Sequence, residues 1–170
     1  MTKLPTFGLL LLLSSCFYPT DDGGDLQPPP DFYTEYSPIM MERGQMEQSI
    51  EQQPAREIND PAKIYAYNQY LFITDKFKGV HVINNENPSS PVSLGFIRIP
   101  GCVDVAVKGT TLFADNATDL IGLDVADPNN VREISRVRNA FPVLLPPDLG
   151  ELPEVYRNRD ENLVIVEWRK

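Results

Sequence analysis

The sequence predicts an all-β protein built from two four-stranded antiparallel sheets. From residue 64 onward, short apolar runs alternate with turns rich in Gly, Asn and Asp, a pattern typical of antiparallel strands. Sixteen of the 170 residues are proline, which disfavours long helices. The order of strands and turns then recurs after about 40 residues, which indicates a duplicated unit.

The first copy of this unit covers about residues 64–99 and contains four predicted strands. The pair Asn68-Gln69 separates the first two strands, and this short separation predicts a hairpin. A longer polar loop at residues 84–91 precedes the fourth strand. The predicted strands are residues 64–67, 70–74, 80–83 and 92–99.

The second copy covers about residues 102–138 and repeats the same order. Leu112-Phe113 follows Leu71-Phe72 by 41 residues, and Asp127-Pro128 follows Asn87-Pro88 by 40 residues. One residue of slack in the middle loop reconciles the two offsets. The predicted strands are residues 103–107, 111–114, 120–125 and 131–137, and residues 139–170 form an end segment.

A period of about 40 residues with four strands per unit is typical of β-propeller blades, and rings of such blades close with about four to eight. Residues 64–170 number 107, which is too few for a ring. We therefore expect two propeller-like blades in an incomplete propeller, with an apolar sheet face left open at each end. Residues 31–60 and 142–156 cover these ends, or other chains complete the ring, or the chain is a shortened product of a longer gene.

The first 16 residues predict export and lipid attachment. Lys3 precedes an apolar run at residues 7–13, and Ser14-Ser15 precede Cys16, which is the layout of a signal peptide. The run is far shorter than the roughly 20 residues that span a bilayer. The end of this segment, Leu13-Ser14-Ser15-Cys16, resembles a bacterial lipobox. The resemblance implies a lipoprotein signal peptide at residues 1–15 and acylation of the Cys16 sulfur. An ordinary secreted protein is the alternative.

Residues 16–30 predict a flexible tether, because they combine prolines, glycines and acidic residues with little apolar surface. The pair Asp21-Asp22 resembles the export signal of surface lipoproteins in Bacteroidota, and an acidic linker explains it equally well. Phe17 after the cysteine resembles outer-membrane sorting. The sequence thus predicts a lipid-anchored outer-membrane protein and leaves its periplasmic or surface orientation open.

Residues 31–60 are predicted to form a strap, a connecting segment that packs on the surface of the β domain. A short helix is expected at residues 40–50, with Met46 and Ile50 on one face and an Arg43–Glu47 ion pair. Gly44 weakens this helix.

Two segments resemble the LVIVD repeat of bacterial and archaeal surface proteins. They are residues 75–88, which contain Val80-His81-Val82-Ile83, and residues 120–128, which contain Leu123-Asp124-Val125. Each ends in an Asx-rich turn closed by proline, and a weaker echo follows at residues 163–166. With the lipobox, the sequence resembles the amino-terminal part of uncharacterised Bacteroidota lipoproteins that carry more such repeats. The resemblance implies a structural consensus and no catalytic residue.

Charge and residue types exclude several functions. The net charge is −9, and without residues 1–15 there remain 14 basic against 24 acidic residues, so nucleic acid is not an expected partner. This charge also disfavours attachment to anionic lipid, so the acyl chain provides the membrane anchor. With Cys16 acylated, Cys102 is left without a disulfide partner, and its apolar neighbours predict a buried, inert thiol.

No grouping of residues predicts an enzyme. His81 is the only histidine and lies within a predicted strand, so a hydrogen-bonded structural histidine is favoured over a general base. Asp115 and Asp119 are weak candidates for a ligand-binding turn, and turn capping is the simpler interpretation because the spacing of a calcium loop is missing. We expect no metal and no cofactor.

These observations predict a non-catalytic envelope lipoprotein whose β-blades bind protein or act as a scaffold. Its expected partners are the membrane, through the lipid, and an envelope protein or a second copy, through the open blade edges. A glycan- or substrate-capturing subunit of an envelope enzyme system is one alternative. A truncated fragment of a longer propeller lipoprotein is another.

Overall fold

The computed structural model describes residues 34–148 and 152–170, which form two short helices and eleven strands. The predicted signal peptide (1–15), the lipidation site Cys16 and the tether (16–30) lie outside the described residues. The elements are β1 (Ser37–Glu42), α1 (Arg43–Gln48), β2 (Glu51–Gln53), β3 (Pro61–Tyr67), β4 (Tyr70–Asp75), β5 (Gly79–Asn84), β6 (Val92–Arg98), β7 (Val105–Lys108), β8 (Thr111–Asn116), β9 (Asp119–Asp124), β10 (Arg132–Val137), α2 (Glu154–Arg157) and β11 (Leu163–Arg169).

All strand pairs in the described residues are antiparallel, which confirms the all-β class. The first sheet has the order β2-β6-β5-β4-β3, and the second sheet has the order β10-β9-β8-β7. Each therefore contains a meander of four consecutive strands. The first sheet also carries a fifth strand, β2, which the sequence did not predict. A third, two-stranded sheet pairs β1 with β11, and we call it the end sheet.

Equivalent side-chain caps shape the long loops of the two meanders. Asn84 Oδ1 accepts a hydrogen bond from the backbone N–H of Glu86 at 2.9 Å, and Asp124 Oδ1 accepts one from Ala126 at 3.0 Å. Three residues further on, Asn87 and Asp127 each cap the N–H two positions ahead. Asn and Asp serve equally here because only the side-chain oxygen is used.

The two meanders pack face to face across one aliphatic core. Alternation along a strand sends every second side chain to the same face. The first sheet contributes Phe72, Val80, Val82 and Ile97, and the second sheet contributes Val105, Val107, Leu112, Ala114, Ile121 and Leu123. Polar contacts border this core, since the Tyr65 hydroxyl donates to the Val107 carbonyl at 3.3 Å and Gln52 binds the backbone of Pro128 and Val131.

Residues 54–60 cover part of the other face of the first sheet. The guanidinium of Arg56 lies 3.5 Å from the centre of the buried Phe96 ring and also pairs with Asp75 at 3.1 Å. The backbone N–H of Asp60 donates to Asp75 as well. A cation above an aromatic face is favourable and keeps its polar edge in water. This end of the two-sheet stack is therefore occupied by the chain itself.

The end sheet and α1 form a smaller core with the turn between β8 and β9. Met46, Ala117, Val164 and Val166 are its buried members. The expected helix at residues 40–50 is shorter than predicted, because Met40 and Met41 pair with Ile165 and Val164 as strand β1. The pairing partner lies more than 120 residues away in the chain, so local periodicity gave no signal for it. No helix of the described residues is both long and apolar enough to cross a bilayer.

Gly101 allows the loop after β6 to contact the turn after β8. Its φ is +79°, and a Cβ at this position would lie 2.7 Å from the backbone nitrogen of Ala117. We expect Gly101→Ala to destabilise the fold by roughly 1 kcal/mol of backbone strain plus about 1–3 kcal/mol of overpacking. Urea unfolding measures the loss of free energy.

Gly109→Ala is the matched control, because Gly109 also has a positive φ (+61°) but no atom lies within 4 Å of the added Cβ. It should show the strain alone. Equal losses in the two variants would contradict the proposed contact between Gly101 and Ala117.

Candidate functional site

The predicted turn residue Asp119 is the centre of a buried ionic cluster. Its side chain is fully buried and accepts hydrogen bonds from Arg43 Nη1 at 3.0 Å and from Arg136 Nη1 at 2.9 Å. The backbone N–H of Asn139 adds a third donor at 3.1 Å. The cluster thus joins α1, the last strand of the second sheet and the segment that follows it.

Neighbouring side chains hold both arginines of this cluster in place. Arg136 also donates to Asn116 at 2.8 Å and forms two hydrogen bonds with Glu133. Arg43 donates to the Asn139 side chain at 3.0 Å. Burial alone raises the pKa of Asp119, but the hydrogen bonds from Asn139, Arg136 and Arg43 together hold it below its ordinary value. The carboxylate is charged, fully paired and closed to solvent.

Asp115 lies on the opposite face of the second sheet from Asp119. Its oxygens accept the backbone N–H groups of Val103 and Asp104, each at 2.9 Å, and so fix the entry to β7. Burial raises the pKa of Asp115 despite these two donors. The structure therefore does not bring the two predicted turn residues together. In the described residues, no three His, Cys, Asp or Glu side chains form a group that could hold a metal ion.

His81 is buried on the face of the first sheet that Arg56 covers. Its Nε2 lies 3.6 Å from Asp75 Oδ2, too far for a hydrogen bond, and neither ring nitrogen has a partner among the described residues. The expectation of a hydrogen-bonded histidine is thus wrong in this detail. The imidazole instead packs against Phe96, with ring centres 4.8 Å apart. Burial lowers the pKa of His81, and the carboxylate of Asp75 only partly offsets this effect.

Cys102 is buried in the core between the two sheets and forms no disulfide. Burial raises the pKa of its thiol well above the ordinary value, and the negative charge of Asp115 adds to the shift. A protonated thiol without solvent access is a poor nucleophile.

An apolar groove, which we call the open groove, lies on the outer face of the second sheet. Its volume is about 430 Å³. One wall is formed by residues 141–145 of the proline-rich segment at residues 141–147, and Phe141 and Leu145 are exposed there. The other wall consists of sheet residues, among them Ala106, Phe113 and Leu120. The proline-rich run at residues 141–147 predicts a cover for one end of the sheets, with a binding epitope as the alternative. In the structure the segment borders the sheet face without filling it.

Few contacts hold the proline-rich segment beside the second sheet. The backbone N–H of Phe141 donates to the Thr118 carbonyl at 2.9 Å, and the indole N–H of Trp168 donates to the Leu144 carbonyl at 3.1 Å. Prolines at 142, 146 and 147 lack the N–H groups that a strand ladder needs. The segment therefore forms a wall of the groove and adds no strand to the sheet.

A scan against protein-family models, a search of curated proteins and a search of solved structures found nothing that matches this chain. The two meanders of equal strand order, the open groove and the amino-terminal sequence are the features from which a function is inferred below.

Replacing the central carboxylate tests the ionic cluster. We expect Asp119→Asn to destabilise the fold by about 3 kcal/mol, the lower end for a broken buried ion pair, because both arginines keep some contact with water. Urea unfolding measures this loss. The matched control is Asp124→Asn, whose partner Arg132 lies 3.6 Å away at the surface, and it should cost less than about 1 kcal/mol. Similar losses for the two variants would show that the cluster contributes little.

Acid should destabilise the protein in part through His81. Its pKa in the folded state lies below the ordinary 6.5, so the unfolded chain takes up a proton first as the pH falls. The contribution of His81 to the free energy of unfolding is complete above pH 6.5. It is lost as the pH falls through the lower pKa of the folded state, by up to about 1.4 kcal/mol per pH unit.

The variant His81→Ile tests this effect, because the equivalent position of the second sheet is also an isoleucine, Ile121. Unfolding free energies measured between pH 7.5 and 5 should decline less steeply in this variant. The neighbouring Asp75 and Arg56 are unchanged in it, so a decline as steep as in the parent protein would assign the acid sensitivity to other groups.

Proposed function

We propose that this chain is a non-catalytic lipoprotein of the bacterial outer membrane whose two sheets act as propeller-like blades of a protein-binding module. The open groove is the observation that supports this proposal most directly. An exposed apolar groove beside polar residues is one of the forms that protein interaction sites take. The groove combines exposed aliphatic and aromatic side chains with a shaped wall at residues 141–145.

The duplication supports the comparison with propeller blades. Two meanders of equal strand order pack face to face through one core, as neighbouring blades do. A blade uses both faces in this architecture. The second sheet therefore presents one face to the first sheet and offers the other to a further partner.

The disposition of polar groups favours a protein partner over a glycan or a metal-bound substrate. The carboxylates of Asp115 and Asp119 are already engaged by internal donors. Interfaces between proteins have an apolar core that is depleted of charge and surrounded by a polar rim. The open groove is lined mainly by apolar residues, and Asp104 and Asp115 line it as well. The Asp115 carboxylate is held by the backbone N–H groups of Val103 and Asp104.

The amino-terminal motif supports lipid anchoring. The basic start, the short apolar run and the small residues before Cys16 fit cleavage and acylation at this cysteine. Since the processed chain would be strongly acidic, anionic lipids would not hold it electrostatically. A tether after the acylated cysteine would allow the β domain to reach a partner away from the bilayer.

Metabolic labelling tests the anchor. In a Gram-negative host supplied with an alkyne palmitate, we expect the full chain to incorporate the label and to fractionate with the outer membrane. The variant Cys16→Ser should lose both properties, since it removes the sulfur that is acylated. Cys102→Ser is the control, because it changes the other cysteine of the chain. Equal labelling of both variants would refute acylation at Cys16.

Photocrosslinking in intact cells tests the binding role. A photoreactive amino acid placed at several exposed positions should give covalent complexes with another envelope protein. Suitable positions are Ile64, Val92, Phe141 and Val155. The binding role is refuted if no position gives a protein complex while the chain is correctly located.

A further inference from the structure

We propose that the open groove docks an aliphatic face of a β-sheet from a different polypeptide, in the way that the first sheet docks the second. This inference rests on the proposed function and specifies its partner. It follows from three pairs of equivalent apolar residues on two sheet faces, one buried and the other open.

Strand register defines the correspondence. In the first sheet, Phe72 pairs with Tyr65 on one side and with Val82 on the other. In the second sheet, Phe113 pairs in the same way with Ala106 and Gly122. Phe113 is therefore the structural equivalent of Phe72.

A second row of residues shows the same match. Val80 lies opposite Ile97 in the first sheet, and Leu120 lies opposite Val137 in the second sheet. Both rows belong to one face of each sheet, because side chains two residues apart along a strand share a face. The face of the first sheet that packs on the second sheet thus recurs on the outer side of the second sheet.

The two equivalent faces differ in burial. Ile97 is 1% exposed, whereas its equivalent Val137 is 56% exposed. Phe72 and Val80 are buried in the shared core, whereas Phe113 and Leu120 are only partly buried. Phe113, Leu120 and Val137 keep the apolar character of Phe72, Val80 and Ile97. Asp115 and Gly122 stand where the first sheet has Thr74 and Val82, so the match is confined to the three apolar positions. Only the first copy has a sheet packed against this face.

The existing interface indicates the chemistry of the missing neighbour. The first sheet's face is covered by uncharged branched residues of the second sheet, with Leu112, Ile121 and Leu123 at its centre. A sheet with such a face would fit Phe113, Leu120 and Val137. Ala106 stands where the first sheet has Tyr65, which leaves additional room at that edge. The partner should therefore carry a larger side chain there.

A second copy of this chain does not supply this neighbour. Its complementary aliphatic face is already buried against its own first sheet, and the corresponding face of that sheet carries Arg56 on Phe96. A self-complex would have to join two identical open grooves. The net charge of −9 on each chain opposes such an approach. The inferred occupant is consequently a different protein.

The test uses the full-length chain in intact cells, with a photoreactive phenylalanine derivative in place of Phe141 at the groove wall. We expect a crosslinked protein other than this chain, with the attachment site on a β-strand. Val137→Lys should lower the crosslinking yield at least fivefold, because it places a charge on the docking face. Ile58→Lys is the control, since it introduces the same charge at an exposed apolar residue of the segment that covers the first sheet. It should leave the yield unchanged.

Several outcomes would overturn the inference. They are a crosslink to a second copy or to lipid, an attachment site outside a β-sheet, and a yield that Val137→Lys does not lower. Protein crosslinks from Ile64, Val92 or Val155 without any from Phe141 would overturn this inference and leave the proposed binding role standing. Absence of protein crosslinks from all positions would refute both. Thermal unfolding of each variant establishes that loss of folding does not cause the result.

Discussion

The packing of one aliphatic sheet face on another is the interaction on which this fold depends. Two stacked sheets have four faces, and a single contact between them buries only two. In this chain, that contact joins the Phe72 and Val80 face of the first sheet to the Ile121 and Leu123 face of the second. Apolar residues also lie on the outer faces, Ile73 and Phe96 on the first sheet and Phe113 and Leu120 on the second, and their packing needs further partners. Residues 54–60 provide one, through Arg56 and Asp60, and the outer face of the second sheet is only bordered by residues 141–145.

The buried charges complement this apolar packing at the end of the sheets where β8 turns into β9. Hydrophobic contact is non-directional and would tolerate sliding of one element past another. Asp119 requires donors at fixed positions, and it receives them from α1, from β10 and from the backbone at Asn139. These three hydrogen bonds connect α1, β10 and residue 139 to one carboxylate. The ionic cluster therefore specifies how the helix and the segment after the second sheet are placed, including the start of the groove wall at Phe141.

The sequence predicts the features that depend on interactions between neighbouring residues. Alternating apolar residues and Asx turns gave the two meanders, and Asn84, Asn87, Asp124 and Asp127 do cap equivalent loops. It missed the features that depend on distant partners. Strand β2 is only three residues long, and β1 pairs with β11 across almost the whole described chain. The sequence identifies Asp119 as a turn residue, but no spacing rule connects it to Arg43, 76 residues earlier. The unpaired nitrogens of His81 likewise depend on where Arg56 and Asp75 lie in space.

Apolar residues at equivalent positions of the two sheets make the open groove a stronger indication of a docking site than exposed apolar residues elsewhere. Single exposed residues such as Ile64 or Val155 are common on protein surfaces and require no function. Phe113, Leu120 and Val137 instead form a contiguous set whose equivalents are buried against a sheet within the same molecule. If nothing packed on the outer face of the second sheet, polar residues there would lose no packing contacts. Ser135, which lies opposite Gly122, is one such polar residue. Aliphatic residues at the neighbouring positions retain the pattern of a face that packs, and the proposed binding role is inferred from this pattern.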